Sequence, residues 1–123
     1  MVIEVYISLI CGNTEIKSRQ QRILSILDSK SIKYKIVDIS GENNEESKRF
    51  MHENATEKGG TMSDPDPKFP LPPQFFNDGS YCGDYNSFDE ANELGELKKF
   101  LRIEDKAFVE METGMANKEI EVE

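Results

Sequence analysis

The first forty residues show three successive patterns of apolar positions. Residues 2–9 are apolar at nearly every position, which is typical of a strand covered on both faces at the centre of a parallel sheet. Residues 15–28 carry their apolar side chains at helical spacing, whereas residues 32–39 carry them at nearly alternate positions. A strand, a helix and a second strand in this order predict a right-handed parallel βαβ unit.

The middle of the chain is polar and is followed by a hairpin pattern. Residues 44–54 suit a short polar helix, and residues 55–68 are rich in Gly, Pro and polar side chains, which is typical of a loop. Residues 74–76 and 80–82 suit two short strands, because the sequence Asn77-Asp78-Gly79 between them is a turn signal. The sequence pattern indicates no function for the loop of residues 55–68.

Apolar side chains recur at helical spacing from Tyr85 to Leu101, with a break expected near Gly95. The elements therefore follow the order βαβ, α, ββα. This order predicts an α/β domain over residues 1–103 with a mixed four-stranded sheet flanked by helices, the arrangement of thioredoxins and glutaredoxins. Residues 104–123 hold seven acidic and two basic residues, a net charge of −5, and we expect an acidic, disordered tail.

The charge and length of the chain argue against several classes of function. Fifteen basic against 24 acidic residues among 123 give a net charge of −9, which is unfavourable for nucleic acid or an anionic membrane as partner. No apolar run reaches the roughly 18–20 residues that span a bilayer. The first residues suit a strand rather than a signal peptide, and two cysteines suit a reducing compartment. We expect a monomer in the cytoplasm, with the nucleus as a second location.

The segment Phe69-Pro70-Leu71-Pro72-Pro73-Gln74-Phe75-Phe76 holds three prolines between aromatic residues. Proline fixes φ near −65° and has no N–H, so such a run favours polyproline II, the conformation that SH3 and EVH1 domains bind. An X-Pro bond is also the usual position of a cis peptide. The segment could therefore be an exposed ligand or a rigid corner of the fold, and the sequence leaves both alternatives open.

Three partner motifs overlap in this segment. Pro70 and Pro73 form a PxxP core for an SH3 domain, although Lys68 lies one residue from the position where such ligands carry a basic side chain. Phe69 before the prolines suits one class of EVH1 domain, and Phe76 after them suits another. The residues predicted to contact the partner are Phe69, Pro70, Leu71, Pro72, Pro73, Phe75 and Phe76.

Six short segments follow one another in a recognisable order: Val5-Tyr6-Ile7-Ser8, Glu15-Ile16-Lys17-Ser18, Gln20-Gln21, Val37-Asp38-Ile39-Ser40, Pro70-Leu71-Pro72-Pro73-Gln74 and Tyr81-Cys82-Gly83-Asp84-Tyr85. Together they resemble the SH3 domain-binding glutamic-acid-rich-like proteins, which are small glutaredoxin-like proteins. The resemblance extends from residue 2 to about residue 103. It implies a thioredoxin fold that lacks the redox dithiol and acts through protein interactions.

Cys11 is the candidate for any remaining thiol chemistry. It lies in the turn Cys11-Gly12-Asn13-Thr14 before the first helix, where a helix amino end can stabilise a thiolate. Thr14 occupies the place of the second cysteine of a dithiol, so an ordinary dithiol cycle is excluded. The alternatives for Cys11 are an incidental small residue and the thiol of a weak glutathione-dependent oxidoreductase or regulator of glutaredoxin-type activity.

The resemblance also indicates a vestigial glutathione site at Pro72, Pro73, Gly83 and Asp84. Pro72 lacks the N–H that would bind a glutathione carbonyl, and Asp84 could instead cap the last helix. We therefore expect no cofactor, with glutathione as the one candidate.

Cys82 is expected to be a buried, inert thiol that could lie near Cys11. His52 is expected to be an ordinary surface residue, and no metal-binding pattern is present in the sequence. The resulting hypothesis is a non-enzymatic adaptor that presents residues 69–76 to an SH3 or EVH1 domain. A cleft that binds an extended peptide is a further alternative.

Overall fold

A computed structural model describes residues 2–103. This part of the chain forms four strands and four helices, with one turn of 3-10 helix at Glu42–Asn44. The elements are β1 (Ile3–Ile7), α1 (Thr14–Ser29), β2 (Lys35–Asp38), α2 (Glu45–Asn54), β3 (Gln74–Asn77), β4 (Ser80–Asp84), α3 (Tyr85–Glu93) and α4 (Leu97–Phe100). The predicted acidic tail, residues 104–123, lies outside the described residues.

The four strands form one mixed sheet in the order β2-β1-β3-β4. β1 pairs in parallel with β2, and β3 pairs antiparallel with both β1 and β4. At the centre, Val5 faces Ile36 on one side and Phe75 on the other. The predicted element order and the α/β class with a mixed four-stranded sheet are confirmed, and the arrangement is thioredoxin-like.

Helix α1 is joined to the end of β1 by side chains of its own sequence. Asn13 caps the helix, since its Oδ1 accepts a hydrogen bond of 3.0 Å from the backbone N–H of Ile16. Gln20, on the buried face, donates to the carbonyl of Ser8 at 3.0 Å and accepts from its N–H at 2.8 Å. These two bonds fix the chain immediately after β1, three residues before Cys11.

Each face of the sheet has its own hydrophobic core. Ile3, Val5, Ile7 and Phe75 pack against α1, α3 and α4, whereas Tyr6 and Phe76 pack with Met51 of α2. Phe75 and Phe76 point to opposite faces because they are consecutive strand residues. Both are 0% exposed, so the prediction that they contact a partner is wrong.

The structure shortens one strand predicted from the sequence and confirms one predicted break in a helix. Residues 32–39 suit one strand, but β2 covers only Lys35–Asp38, and Ile36 is 43% exposed because β2 lies at the edge of the sheet. The expected break in the last helix is confirmed at Gly95, whose φ of +72° ends the helical conformation between α3 and α4.

Candidate functional site

The proline segment forms an internal corner of the fold between the loop and β3. The Pro72–Pro73 peptide bond is cis. Pro70, Pro72 and Pro73 are buried, and the N–H of Leu71 donates a hydrogen bond of 2.9 Å to the carbonyl of Lys58. A partner domain therefore cannot enclose the two PxxP prolines in this conformation, which corrects the expectation of an exposed proline ligand.

Phe69 is the part of the predicted ligand that lies on the surface. Its side chain is 52% exposed, and its ring stacks on His52 with 5.0 Å between the ring centroids and 10° between the planes. Leu71 is half-buried. Of the seven residues predicted to contact a partner, Phe69 alone is largely accessible.

A groove of about 750 Å³ opens beside Phe69. Apolar side chains of Ile16, Ile39 and Pro72 contribute to its lining, and Ile10 and Cys11 lie at the turn after β1. The opposite wall is formed by one face of α2. A largely preformed concave surface with both apolar and polar walls is the usual form of a binding site.

The wall from α2 carries charged side chains that the sequence analysis did not single out. Lys48 and Arg49 line the groove together with Glu45 and Glu53, and beside them lies His52, which was the one α2 residue named from the sequence. Their spacing of three and four residues places them on one face of a helix, and this spacing could have identified the wall. Burial, with the charge of Lys48, lowers the pKa of His52 below its usual value. His52 is therefore a partly buried groove residue rather than an ordinary surface residue.

The turn after β1 presents two apolar side chains to solvent, and one of them, Ile10, lines the groove. Leu9 is 66% exposed and Ile10 is 77% exposed. Their backbone is nevertheless fixed, since the N–H of Leu9 donates to Asp38 at 3.0 Å and that of Ile10 to the Ser40 hydroxyl at 3.1 Å. Burial alone would raise the pKa of Asp38, but hydrogen bonds from Ser40 and Leu9 outweigh it and lower the pKa.

Ile10 and Phe69, the groove that they line, and Leu9, which precedes Ile10 in the turn, are called the Phe69 face below. An apolar patch held on a fixed backbone beside a groove is typical of an interaction surface. Leu9, Ile10 and Phe69 are therefore candidate contact residues for a partner.

The two thiols occupy different surroundings. Cys11 lies in the lining of the groove, and its Sγ is 3.7 Å from the carbonyl oxygen of Asn13. Cys82, on β4, is half-buried rather than buried as predicted, and it packs against the core that contains Phe75 and Phe88; burial raises the pKa of its thiol. Both cysteines are free, so the described residues form no Cys11–Cys82 disulfide.

Two positions of the predicted vestigial glutathione site, Gly83 and Asp84, are covered by the chain itself, whereas Pro72 contributes to the lining of the groove. Asp84 caps α3, with Oδ1 accepting from the N–H of Ser87 at 3.0 Å, and its Oδ2 accepts from the N–H of Gly59 at 3.0 Å. Gly83 is also enclosed, because a Cβ there would lie 2.7 Å from Cε1 of Phe100. The Asp84 carboxylate is therefore engaged within the chain, and its capping role is confirmed.

Within residues 2–103, no group of three or more His, Cys, Asp or Glu side chains could hold a metal ion. None of the described helices combines the length and apolar character needed to cross a membrane.

Comparisons with known proteins identify a related sequence and related structures. The chain is 55% identical over 103 residues to a Drosophila melanogaster protein named SH3 domain-binding glutamic acid-rich protein homolog, and the match covers 84% of this chain but 65% of that protein. The chain thus spans less than two thirds of the relative's length.

Two solved structures share the fold. The Candida (C. albicans) actin interacting protein Aip5 matches with a TM-score of 0.57 and 21% identity, over 81% of this chain and 87% of that one. A mutant actin interacting protein 5 matches with the same TM-score and 18% identity, over 81% of this chain and 86% of that one. The model of the family described as SH3-binding, glutamic acid-rich protein matches residues 1–104. The chain therefore belongs to the SH3-binding, glutamic acid-rich protein family.

Proposed function

We propose that this chain is a non-catalytic protein-interaction module that binds an SH3-domain partner through the Phe69 face. The observation that carries the proposal is the exposure of Phe69. Its side chain is half exposed at the groove, whereas the prolines that follow it are buried. The family description and the name of the fly relative support an SH3 domain as the partner.

The proposal differs from an ordinary PxxP interaction in what the partner contacts. A linear ligand places its proline rings between aromatic side chains of the SH3 domain, which requires exposed rings on both sides. Here the buried prolines support the backbone, and the aromatic ring of Phe69 with the apolar side chains of Leu9 and Ile10 provides the contact area. Aromatic side chains that enter a partner's pocket commonly dominate binding energy.

Substitution of Phe69 tests this proposal by isothermal titration calorimetry of the full chain against a panel of SH3 domains. Phe69→Ser should lower the affinity of a binding domain by about tenfold or more, as expected for an aromatic anchor. Leu94→Ser is the matched control, because Leu94 is an apolar side chain 64% exposed at the end of α3, outside the groove. Equal affinities for both variants, or no binding by any domain, would reject the proposal.

An EVH1 domain is the second candidate partner, because the exposed Phe69 directly precedes the proline run. An EVH1 domain that binds the proline rings themselves would require residues 69–73 to unfold locally. Pro70→Ala, in a chain shown to remain folded, should then weaken EVH1 binding as strongly as Phe69→Ser. A partner that docks on the folded Phe69 face should lose affinity with Phe69→Ser alone, so the two substitutions separate the alternatives.

A weak monothiol activity through Cys11 is a candidate from a different class, because Cys11 lies in the groove lining. A disulfide-reduction assay with glutathione tests it against the binding proposal. We expect the chain and its Cys11→Ser variant to give the same background rate. A rate above background that disappears with Cys11→Ser would establish the oxidoreductase alternative.

A further inference from the structure

The ring of Phe69 contacts both a histidine ring and a lysine ammonium group. His52 of α2 stacks on it with 5.0 Å between the ring centroids, and the Nζ of Lys68 lies over it, 5.6 Å from its centroid. An aromatic ring attracts a cation that lies over its face. The positive charge of Lys68 is therefore placed directly beside the aromatic side chain of the Phe69 face.

A second lysine acts on the same pair of rings from α2. Lys48 precedes His52 by four residues, so the two side chains share one face of the helix, and both line the groove. Burial is the main cause of the lowered pKa of His52, and the positive charge of Lys48 lowers this pKa further. The pKa stays lowered although Glu45 and Glu53 also line the groove. The charge that acts most strongly on the His52 ring is therefore positive.

Both lysines can reach a partner without breaking an ion pair. Lys48 and Lys68 are exposed, and within residues 2–103 neither ammonium group forms an ion pair. The backbone at Lys68 is nevertheless fixed, since the Nζ of Lys58 donates to the carbonyl of Lys68 at 3.1 Å. Carboxylates of a docked partner would therefore meet two positive charges that the fold already holds beside Phe69.

The balance of charge around Phe69 differs from that of the whole chain. Along the groove and over the ring, three basic side chains stand beside two acidic ones, whereas the chain carries 15 basic and 24 acidic residues. An acidic chain repels an acidic partner at long range, so positive charge at one exposed aromatic side chain favours docking in that orientation. The local charge therefore complements an acidic partner surface.

We propose that the SH3 domain bound by this chain presents carboxylates beside the pocket that receives Phe69, and that Lys48 and Lys68 bind these carboxylates. This inference rests on the proposed function, because it concerns the partner of the Phe69 face. A linear SH3 ligand carries its basic residue in the same segment as its prolines, and Lys68 lies one residue from that position. Lys48 adds a second positive charge from α2. The fold, rather than the proline segment alone, thus selects SH3 domains with an acidic binding surface.

Paired substitution of the two lysines tests the inference by isothermal titration calorimetry of the full chain with an SH3 domain that binds it. Lys48→Gln combined with Lys68→Gln should lower the affinity about fivefold at low salt, as expected for two exposed charge pairs. The matched control combines Lys33→Gln with Lys35→Gln, because both side chains are exposed, neither lines the groove, and the change in net charge is the same. The control should leave the affinity within about twofold of the unsubstituted chain.

The salt dependence shows whether the loss is electrostatic. The difference between the two double variants should disappear at about 1 M salt, where screening limits charge interactions to about 3 Å. A difference that persists unchanged at this salt concentration overturns the inference. Lys48→Gln alone, with an expected loss of about twofold at low salt, replaces the double variant if that variant does not fold.

A double-mutant cycle with the SH3 domain tests the other side of the contact. When the acidic side chains on its ligand-binding surface are replaced by their amides, the substitution of Lys48 and Lys68 should cause no further loss of affinity. A domain variant that stays as sensitive to the lysine substitutions as the original domain overturns the inference.

The Phe69→Ser variant separates this inference from the proposed function. If Phe69→Ser weakens binding while the variant at Lys48 and Lys68 binds like its control, the Phe69 face remains the binding surface and the assignment of the two lysines is wrong. If Phe69→Ser has no effect, or no SH3 domain binds, the proposed function fails and this inference fails with it.

Discussion

Replacement of Asp84 by alanine gives the sharpest test of whether this residue serves the fold or an external ligand. The side chain is 6% exposed, Oδ1 caps α3 through Ser87 N–H, and Oδ2 accepts from Gly59 N–H. Loss of a helix cap costs about 1 kcal/mol. An unpaired buried N–H at Gly59 costs about 1–3 kcal/mol more. We therefore expect Asp84→Ala to lower the free energy of unfolding by about 2–4 kcal/mol.

Asp84→Asn separates the two contributions, because the amide keeps one oxygen acceptor and loses the other. Its cost should be about half that of Asp84→Ala, since one of the two N–H partners remains bonded. Asp89→Asn is the matched control. Asp89 is on the same helix, and its carboxylate forms an exposed ion pair of 2.7 Å with Arg22. Such surface pairs contribute only about 0–1 kcal/mol.

Urea unfolding followed by circular dichroism measures these differences for all three variants. If Asp84→Ala costs no more than Asp89→Asn, the reasoning is refuted. The two hydrogen bonds would then contribute nothing to folding, and a carboxylate held for a ligand would be the better explanation of Asp84.

Three other predictions follow from burial. Phe75→Ala should cost about 3–5 kcal/mol in urea unfolding because Phe75 is fully buried and stacks on Phe88 at 4.8 Å; a cost below about 1 kcal/mol would contradict this. The folded pKa of His52 is depressed, so the unfolded chain protonates first, and stability should fall as the pH drops below about 6.5. His52→Gln should lack this part of the pH dependence; an identical pH profile would contradict the assignment. In a Cys11→Ser chain, iodoacetamide should modify Cys82 more slowly in the folded than in the urea-unfolded state at pH 8, because burial raises its pKa; equal rates would contradict this.

The local features of the chain could be predicted from its sequence because neighbouring residues determine them. The period of the apolar positions indicated the strands and helices. Asp78 and Gly79 adopt φ values of +50° and +84°, as the turn signal between β3 and β4 predicts. Gly95 ends α3, and Asp84 caps it. In each case the conformation is set within a few residues of the position that signals it.

The exposure of the proline segment could not be predicted in the same way. Polyproline composition favours a stiff segment, but whether its rings face solvent depends on what packs against them. Phe75 and Phe76 point to opposite faces because they are consecutive strand residues, but both are buried because β3 lies between β1 and β4 with a core on each face of the sheet. His52 became part of the groove because α2 lies beside Phe69. No pattern within a few residues of the proline segment indicates which distant residues pack against it.

The sequence by itself determined the order of elements, the turns and caps, and the absence of a second cysteine beside Cys11. Only the tertiary structure decided which side of the proline segment is accessible and what covers Asp84. The hydrogen bond from Gly59 to Asp84 joins positions 25 residues apart, and that from Asp84 to Glu57 joins positions 27 apart. Such pairs meet only after the sheet and helices have packed, because their proximity follows from the topology of the whole chain rather than from the preference of any segment.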